Sequence, residues 1–173
     1  MDYSFLFSKI GSAEITTFFI SMLPIVELRG ALPAALVYFG LPFWTAYVLT
    51  VIGNILPAVF FVFFLEKIAD YLSHRNYWFN RFFAWLFGRT RRRHNHHFEV
   101  WGPLALMIFV AIPLPFTGAW SGAVAAFVFG VPARRAIISI ICGVAVAGLI
   151  VGALTLGIAN LPQTASLIIH IFK

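Results

Sequence analysis

The chain has 173 residues, of which 61% are hydrophobic and only 10% charged, with mean hydropathy +0.93 and a formal net charge of +6. A soluble domain carries roughly 25% charged residues, so this chain cannot solvate its surface and reads as one integral membrane domain over residues 1–173. Lys67, Arg75, Arg81, Arg89, Arg91, Arg92, Arg93, Arg134 and Arg135 carry most of the cationic charge beside apolar segments, the pattern of loops on the cytoplasmic face rather than a nucleic-acid footprint.

Asp2 precedes any lysine and no small-residue cleavage site follows, so no signal peptide is expected. A transmembrane helix needs about 20 apolar residues. The stretch from Ile15 to Gly40 does not supply them in one piece. Pro24, Glu27, Arg29 and Pro33 interrupt it and leave two short apolar arms, the pattern of a re-entrant hairpin. Phe43–Leu65 is long and apolar enough to span. Residues 66–100 are basic, and Ile68, Tyr71, Leu72, Trp78, Phe79, Phe82, Phe83 and Leu86 recur at helical spacing. That predicts an amphipathic helix in the headgroup plane, with Arg91, Arg92 and Arg93 on anionic lipid heads.

Leu104 to Gly130 repeats the broken pattern around "AIPLPFTGAWSG", and Ala136–Ile158 supplies a second span, followed by a C-terminal segment over residues 159–173. The two halves also resemble each other. Leu23–Pro24, Pro33–Ala34, Phe39–Gly40, Pro42 and Gly53 align with Ile112–Pro113, Gly122–Ala123, Phe129–Gly130, Pro132 and Gly143, with one residue inserted in the second half. The expected fold is therefore all-α: an inverted repeat of a re-entrant hairpin followed by a transmembrane helix, with repeat one over 1–65, the linker over 66–100 and repeat two over 101–158. With the basic linker cytoplasmic, the first hairpin enters from outside and the second from the cytoplasm, in the plasma or inner cell membrane. Lys9 and Lys173 then lie outside, Arg134 and Arg135 inside. Inverted halves with broken helices are a secondary-transporter architecture.

Ionisable residues at membrane depth are functional candidates by default. Arg29 offers a permanent charge and a bidentate fork for a phosphate or carboxylate, and Glu27, beside a cation at low dielectric, is placed to exchange a proton. In an extended segment positions 27 and 29 point the same way and pair directly. Gly30 and Pro33 complete this first motif. The second hairpin has no charge; Pro113, Pro115, Thr117, Gly118, Trp120, Ser121 and Gly122 offer hydroxyls and backbone N–H groups that can cradle an anion, or simply allow close packing. Asn54, mid-span, suits an interhelical hydrogen bond better than a ligand, and Glu14 suits the outer interface. His94, His96 and His97 lack a second ligand set and read as a solvated basic face, so no metal site is expected. Cys142 reads as a small packing residue. No nucleophile–base pair or HExxH-type motif is present, so neither an enzyme nor a cofactor is expected.

"ELRGALP", "GNILPA" and "PLPFTGAWSGA" together make the chain, from about Ile15 to Gly157, resemble the putative small multidrug export protein family. That family resembles in turn the DedA (VTT-domain) membrane proteins, which share an acidic-x-Arg motif ending in Pro within a first re-entrant hairpin. Glu27, Arg29 and Pro33 match it, whereas the arginines of the second DedA motif have no counterpart in hairpin two; Arg134 and Arg135 follow Pro132. The resemblance implies proton-dependent movement of a polyprenyl phosphate. The residues and the resemblance together give an expectation of a proton-coupled transporter of an anionic amphiphile, with Arg29 on the phosphate, Glu27 carrying the proton, hairpin two completing the site, and Arg134, Arg135 and the linker gathering headgroups. Export of hydrophobic cations through Glu27 and a non-transporting, membrane-shaping protein are the alternatives. Membrane lipids are the expected partners. Two spans enclose no pathway alone, so either the hairpins or a homodimer must supply the wall.

Overall fold

The structure, a computed structural model, describes residues 13–75, 77–78, 81, 96–114 and 117–171, with backbone alone at 69–70, 72–73, 96–100 and 159–171. Among the described residues there are six helices and no strands: α1 (Ala13–Met22), α2 (Glu27–Val37), α3 (Phe43–Arg75), α4 (His96–Ala111), α5 (Ala119–Phe129) and α6 (Ala133–Ile171).

Length sorts these helices. At 1.5 Å per residue the 10 residues of α1 and 11 of α2 reach about 15–17 Å, about half of a ~30 Å hydrocarbon core. Within α3 and α6, Phe43–Ile68 and Ala133–Ile158 are long and apolar enough to cross. Only 28% and 39% of their most apolar windows is buried, where the core helix of a soluble protein would be mostly covered. Trp44, Phe60, Ile138 and Leu154 stand more than half exposed along them, as lipid-facing side chains do. The chain is an all-helical membrane protein.

Two boundaries differ from the sequence expectation. Helix α3 continues past Leu65 to Arg75, and α4 begins at His96, so both ends of the expected linker belong to flanking helices. Helix α6 starts at Ala133 and runs on to Ile171, because no breaker follows Ile158 until Pro162, which fails to stop it. The amphipathic stretch through Phe79, Phe82, Phe83 and Leu86 lies mostly outside the described residues, as do Arg91, Arg92 and Arg93.

The helices group into two compact units, Met1–Gly53 with Gly148–Lys173, and Asn54–Ala147; α3 and α6 each contribute to both. In the first unit α2 packs on α1, and Gly148 and Gly152 of α6 admit Tyr47 with Leu28 and Phe43 with Leu32. In the second, α5 packs on α4, and Gly122 meets Val110 and Ile140.

Local geometry recurs between the units at the positions the sequence aligns. Helices α1 and α4 end at the aligned residues Met22 and Ala111, just before Leu23–Pro24 and Ile112–Pro113. After α2 and α5 the chain turns through glycines in the left-handed region, Gly40 at φ 62° and Gly130 at φ 67°, where a side chain is strained. Pro42 and Pro132 then start the long helices, their carbonyls accepting from Ala46 N–H at 3.0 Å and Ala136 N–H at 2.9 Å. Farther along, Gly53 approaches the Phe18 carbonyl and Ser21, while Gly143 approaches the Met107 carbonyl and Val110.

A methyl group at Gly53 would sit 2.6 Å from the Phe18 carbonyl, and one at Gly143 2.8 Å from that of Met107; both obstacles are backbone. Gly157 has nothing within 4 Å. Gly53→Ala and Gly143→Ala are therefore expected to destabilise by about 1–3 kcal/mol each, while Gly157→Ala stabilises by up to about 1 kcal/mol. Thermal unfolding in detergent checks the contrast in sign.

Candidate functional site

The break between α1 and α2 is short. Met22 is the last residue of α1, and Pro24 disfavours helical geometry at Leu23 and offers no N–H. Helix α2 then begins at Glu27, so Glu27 through Pro33 are helical rather than part of the interruption, contrary to the expected placement. Pro33 lies inside α2 and cannot give the Arg29 carbonyl the N–H an unbroken helix supplies. Gly30 closes the first turn, its N–H bonding the Val26 carbonyl at 3.1 Å with Val26 packed over its Cα.

Glu27 and Arg29 do pair, but by a different route from the extended one. Residues two apart on a regular helix face away from each other. Glu27 adopts φ 49°, a left-handed conformation unusual for a residue with a side chain, and this turns its Cβ out of the helical path. Its backbone N–H still bonds the Leu23 carbonyl at 2.9 Å. The side chains then meet, Arg29 Nη2 donating to Glu27 Oε2 at 3.1 Å. Exposure is unequal: the Arg29 side chain keeps 23% of its surface accessible and that of Glu27 only 7%. The carboxylate also lies in the first turn of α2, where the helix dipole favours a negative charge.

The second break, between α4 and α5, spans residues 112–118, with Pro115 outside the described residues. It is less open than an anion cradle requires. The Leu114 amide is bonded to the Ile112 carbonyl at 2.9 Å and to Thr117 Oγ1 at 3.1 Å, and the Thr117 amide to the Leu114 carbonyl at 3.2 Å. The Gly118 amide gives its hydrogen to Ser121 Oγ at 2.8 Å, and Gly122 N–H bonds the Gly118 carbonyl at 2.8 Å. Thr117 Oγ1 lies 2.7 Å from the Ile112 carbonyl. These groups, expected as donors to an anion, close the break instead. Pro113 is half-buried, and Trp120 packs at 5.2 Å between ring centroids against Phe61 of α3.

Asn54 corrects its expectation. Its side chain is buried at 3% exposure, yet Oδ1 has no hydrogen-bond partner among the described residues, so no interhelical bond is made there through that oxygen. Arg134 and Arg135 are exposed in the first turn of α6, a position open to headgroups. Sequence reasoning passed over the buried hydroxyls of Thr16, Thr17, Ser21 and Thr50. Their signal was the four-residue spacing of Thr17 and Ser21 on α1 and of Thr50 and Asn54 on α3.

An all-helical membrane protein with a covered glutamate paired to a partly exposed arginine beside a helix break is of the class of small integral membrane proteins. More particularly, the family model described as "putative small multi-drug export protein" matches residues 27–150, and the chain belongs to that family. The match begins at Glu27 itself. No curated protein and no solved structure matches the chain.

Removing one partner of a buried ion pair strands the other, at about 3–5 kcal/mol where both are fully covered; partial exposure of Arg29 puts the cost here toward or below the low end. Arg29→Ala is expected to destabilise at neutral pH and to recover as acid protonates Glu27 and removes the stranded charge. Arg29→Ala combined with Glu27→Gln should be less impaired than Arg29→Ala alone. Unfolding midpoints across pH for both variants check this.

Proposed function

We propose that the chain is a secondary transporter that moves an anionic amphiphile, a polyprenyl or other lipid phosphate, coupled to protons. The observation that carries the reading is the unequal exposure of the ion pair. An anion reaching the site meets the Arg29 side chain, the more accessible member although its Nη1 is covered, and the covered Glu27 carboxylate is the resident counter-ion it competes with. A planar guanidinium suits a phosphate bidentately and keeps its charge at every working pH. A cation, by contrast, would have to reach a carboxylate already occupied by an arginine.

Coupling follows from the same geometry. Protonation of Glu27 discharges the counter-ion and leaves the guanidinium to the phosphate, so proton and anion favour the same state of the site. Two ligands that favour one state help each other bind, reciprocally. In this reading α1–α2 and α4–α5 are re-entrant hairpins of an inverted pair. Their short lengths and the recurrence of local contacts at aligned positions support it. The basic stretch after α3 is cytoplasmic, in the plasma or inner cell membrane, and Arg134, Arg135 and Arg91 to Arg93 draw anionic headgroups to the inner face. The resemblance of Glu27, Arg29 and Pro33 to the first DedA motif points the same way. The hairpins, or a second copy of the chain, complete the wall.

The family description favours a second reading, export of small hydrophobic cations with Glu27 as the binding group. Reconstituted vesicles separate the two. Loss of a charge-assisted hydrogen bond worth about 1.5–3 kcal/mol predicts that Arg29→Ala slows translocation of a polyprenyl phosphate roughly 10- to 100-fold, while Glu27→Gln removes its dependence on a pH gradient. Wild-type translocation by correctly folded Arg29→Ala would sink the lipid-phosphate reading. Loss of cation export in Glu27→Gln, with no phosphate-lipid activity in the parent, would establish the rival.

A further inference from the structure

Three helices of the first unit meet in two successive layers of the same construction. Gly148 and Gly152, four residues apart on one face of α6, each admit a leucine of α2 and an aromatic ring of α3. In one layer these are Leu28 and Tyr47, in the other Leu32 and Phe43. Leu28 is 2% exposed and Leu32 fully buried, so α2 is pinned at both points. Close packing around small residues accounts for either layer taken alone. It does not account for what the first layer adjoins. Leu28 stands between Glu27 and Arg29, the two members of the ion pair.

The left-handed turn at Glu27 persists only if its surroundings over-determine it, which takes a restraint on each side. Val26 before it is right-handed, at φ −84° and ψ −48°, and α2 after it is right-handed too, so the distortion is confined to Glu27. A backbone released from restraint returns Glu27 to the right-handed region, since its Cβ opposes the left-handed one. Residues two apart on a regular helix face away from each other, so the contact with Arg29 is then lost. On the α1 side the Leu23 carbonyl holds the Glu27 N–H at 2.9 Å. On the other side the adjacent fixed point is Leu28 in its seat against Gly148. A methyl group at Gly148 would lie 2.8 Å from Tyr47 Cε2 and 3.2 Å from Leu28 Cδ1. The Tyr47 ring is itself held, stacked on Phe43 at 5.9 Å and edge-on to Trp44 at 6.1 Å between centroids. The displacement therefore falls on Leu28.

We propose that Gly148 is a positioning residue of the ion pair: by seating Leu28 against α6 it keeps Glu27 turned onto Arg29. Both Gly148 and Leu28 are apolar and act through the backbone of α2. Gly152 makes the same kind of contact one turn farther along α2, at Leu32, where no strained residue adjoins. The consequence is a link between α6 and the charged site. A shift of α6 that frees Leu28 also separates the carboxylate from the guanidinium. An anion that takes Arg29 from Glu27 loosens Leu28 in turn, because coupling between two positions is reciprocal. The positioning role stands on the packing alone; its bearing on transport rests on the function proposed above.

The test uses the full-length protein in vesicles, with isotope-labelled arginine and glutamate. Solid-state NMR reads the dipolar coupling between the Arg29 guanidinium nitrogens and the Glu27 carboxyl carbon, and Glu27→Gln supplies the blank. Gly148→Ala is expected to lose at least half of the coupling. Gly152→Ala, which drives a methyl group into the Phe43 ring, disturbs the packing as much and is expected to keep it. Retention in both variants overturns the proposal, and so does loss in both. Should Gly148→Ala fail to fold, Leu28→Ala against Leu32→Ala decides, since each empties one layer without adding bulk. Loss in the first and retention in the second is expected, and equal behaviour overturns the role. In vesicles carrying a polyprenyl phosphate, Gly148→Ala should lose its dependence on a pH gradient as Glu27→Gln does, while Gly152→Ala keeps it. Loss of the coupling with the gradient dependence unchanged retires the proton-coupled function and leaves the positioning role standing.

Discussion

Hydrocarbon offers a backbone no water, so wherever a helix breaks at membrane depth the chain must satisfy its own N–H and C=O groups. The two helix breaks satisfy their own backbone groups in different ways. Between α4 and α5, Thr117 and Ser121 turn their side chains back onto the backbone, and the segment is closed by its own hydroxyls. Between α1 and α2 the gap shrinks to residues 23–26, with the Glu27 and Gly30 amides reaching back to the Leu23 and Val26 carbonyls. The corners after α2 and α5 use a left-handed glycine and then a proline, which ends one helix and starts the next within a few residues.

The ion pair is a consequence of the first break. A backbone preference alone would put glycine where Glu27 stands, because φ 49° strains any residue with a Cβ. Glutamate there gains what glycine cannot, a carboxylate turned out of the helical path and onto Arg29 two residues away. Strain of this kind persists only where the surroundings over-determine it; here they are the Leu23 carbonyl, the helix dipole and the guanidinium together. The result is a charged group that is nearly covered, beside one that is not.

The two span positions were legible in the sequence because hydropathy and proline placement decide them directly. Phe43 and the Ala133–Ala136 region start their helices after a Gly-x-Pro pattern, and the broken stretches before them form helices too short to cross. The ends were harder: nothing in the composition marks that α3 runs on to Arg75, since a basic, aromatic-rich stretch reads equally as an interfacial helix or as the tail of a longer one. The pairing of Glu27 with Arg29 was foreseen for the wrong geometry, because no residue preference signals a left-handed glutamate. The open amides expected around Gly118 were lost to Ser121 and Thr117, a competition that only three-dimensional placement resolves. Asn54 misled for the opposite reason. A polar residue mid-span is ordinarily bonded, and its lack of a partner at Oδ1 cannot be read from its neighbours in sequence.

The internal match also changes what a repeat can be used for. Two copies of one contact, Gly53 on α1 and Gly143 on α4, hold the frame constant while the side chains around it vary. The frame therefore explains the glycines and leaves the difference between Thr50 and Ile140, or Asn54 and Val144, to be explained by something other than packing. Charge follows the same division: Glu27 and Arg29 lie in the half that carries the buried oxygens, and the other half has no charged residue from Leu104 to Gly130. Polar groups at membrane depth cost free energy that packing alone would never select. Their concentration in one half is consistent with the function proposed for Glu27 and Arg29, while the matching positions of the other half are apolar.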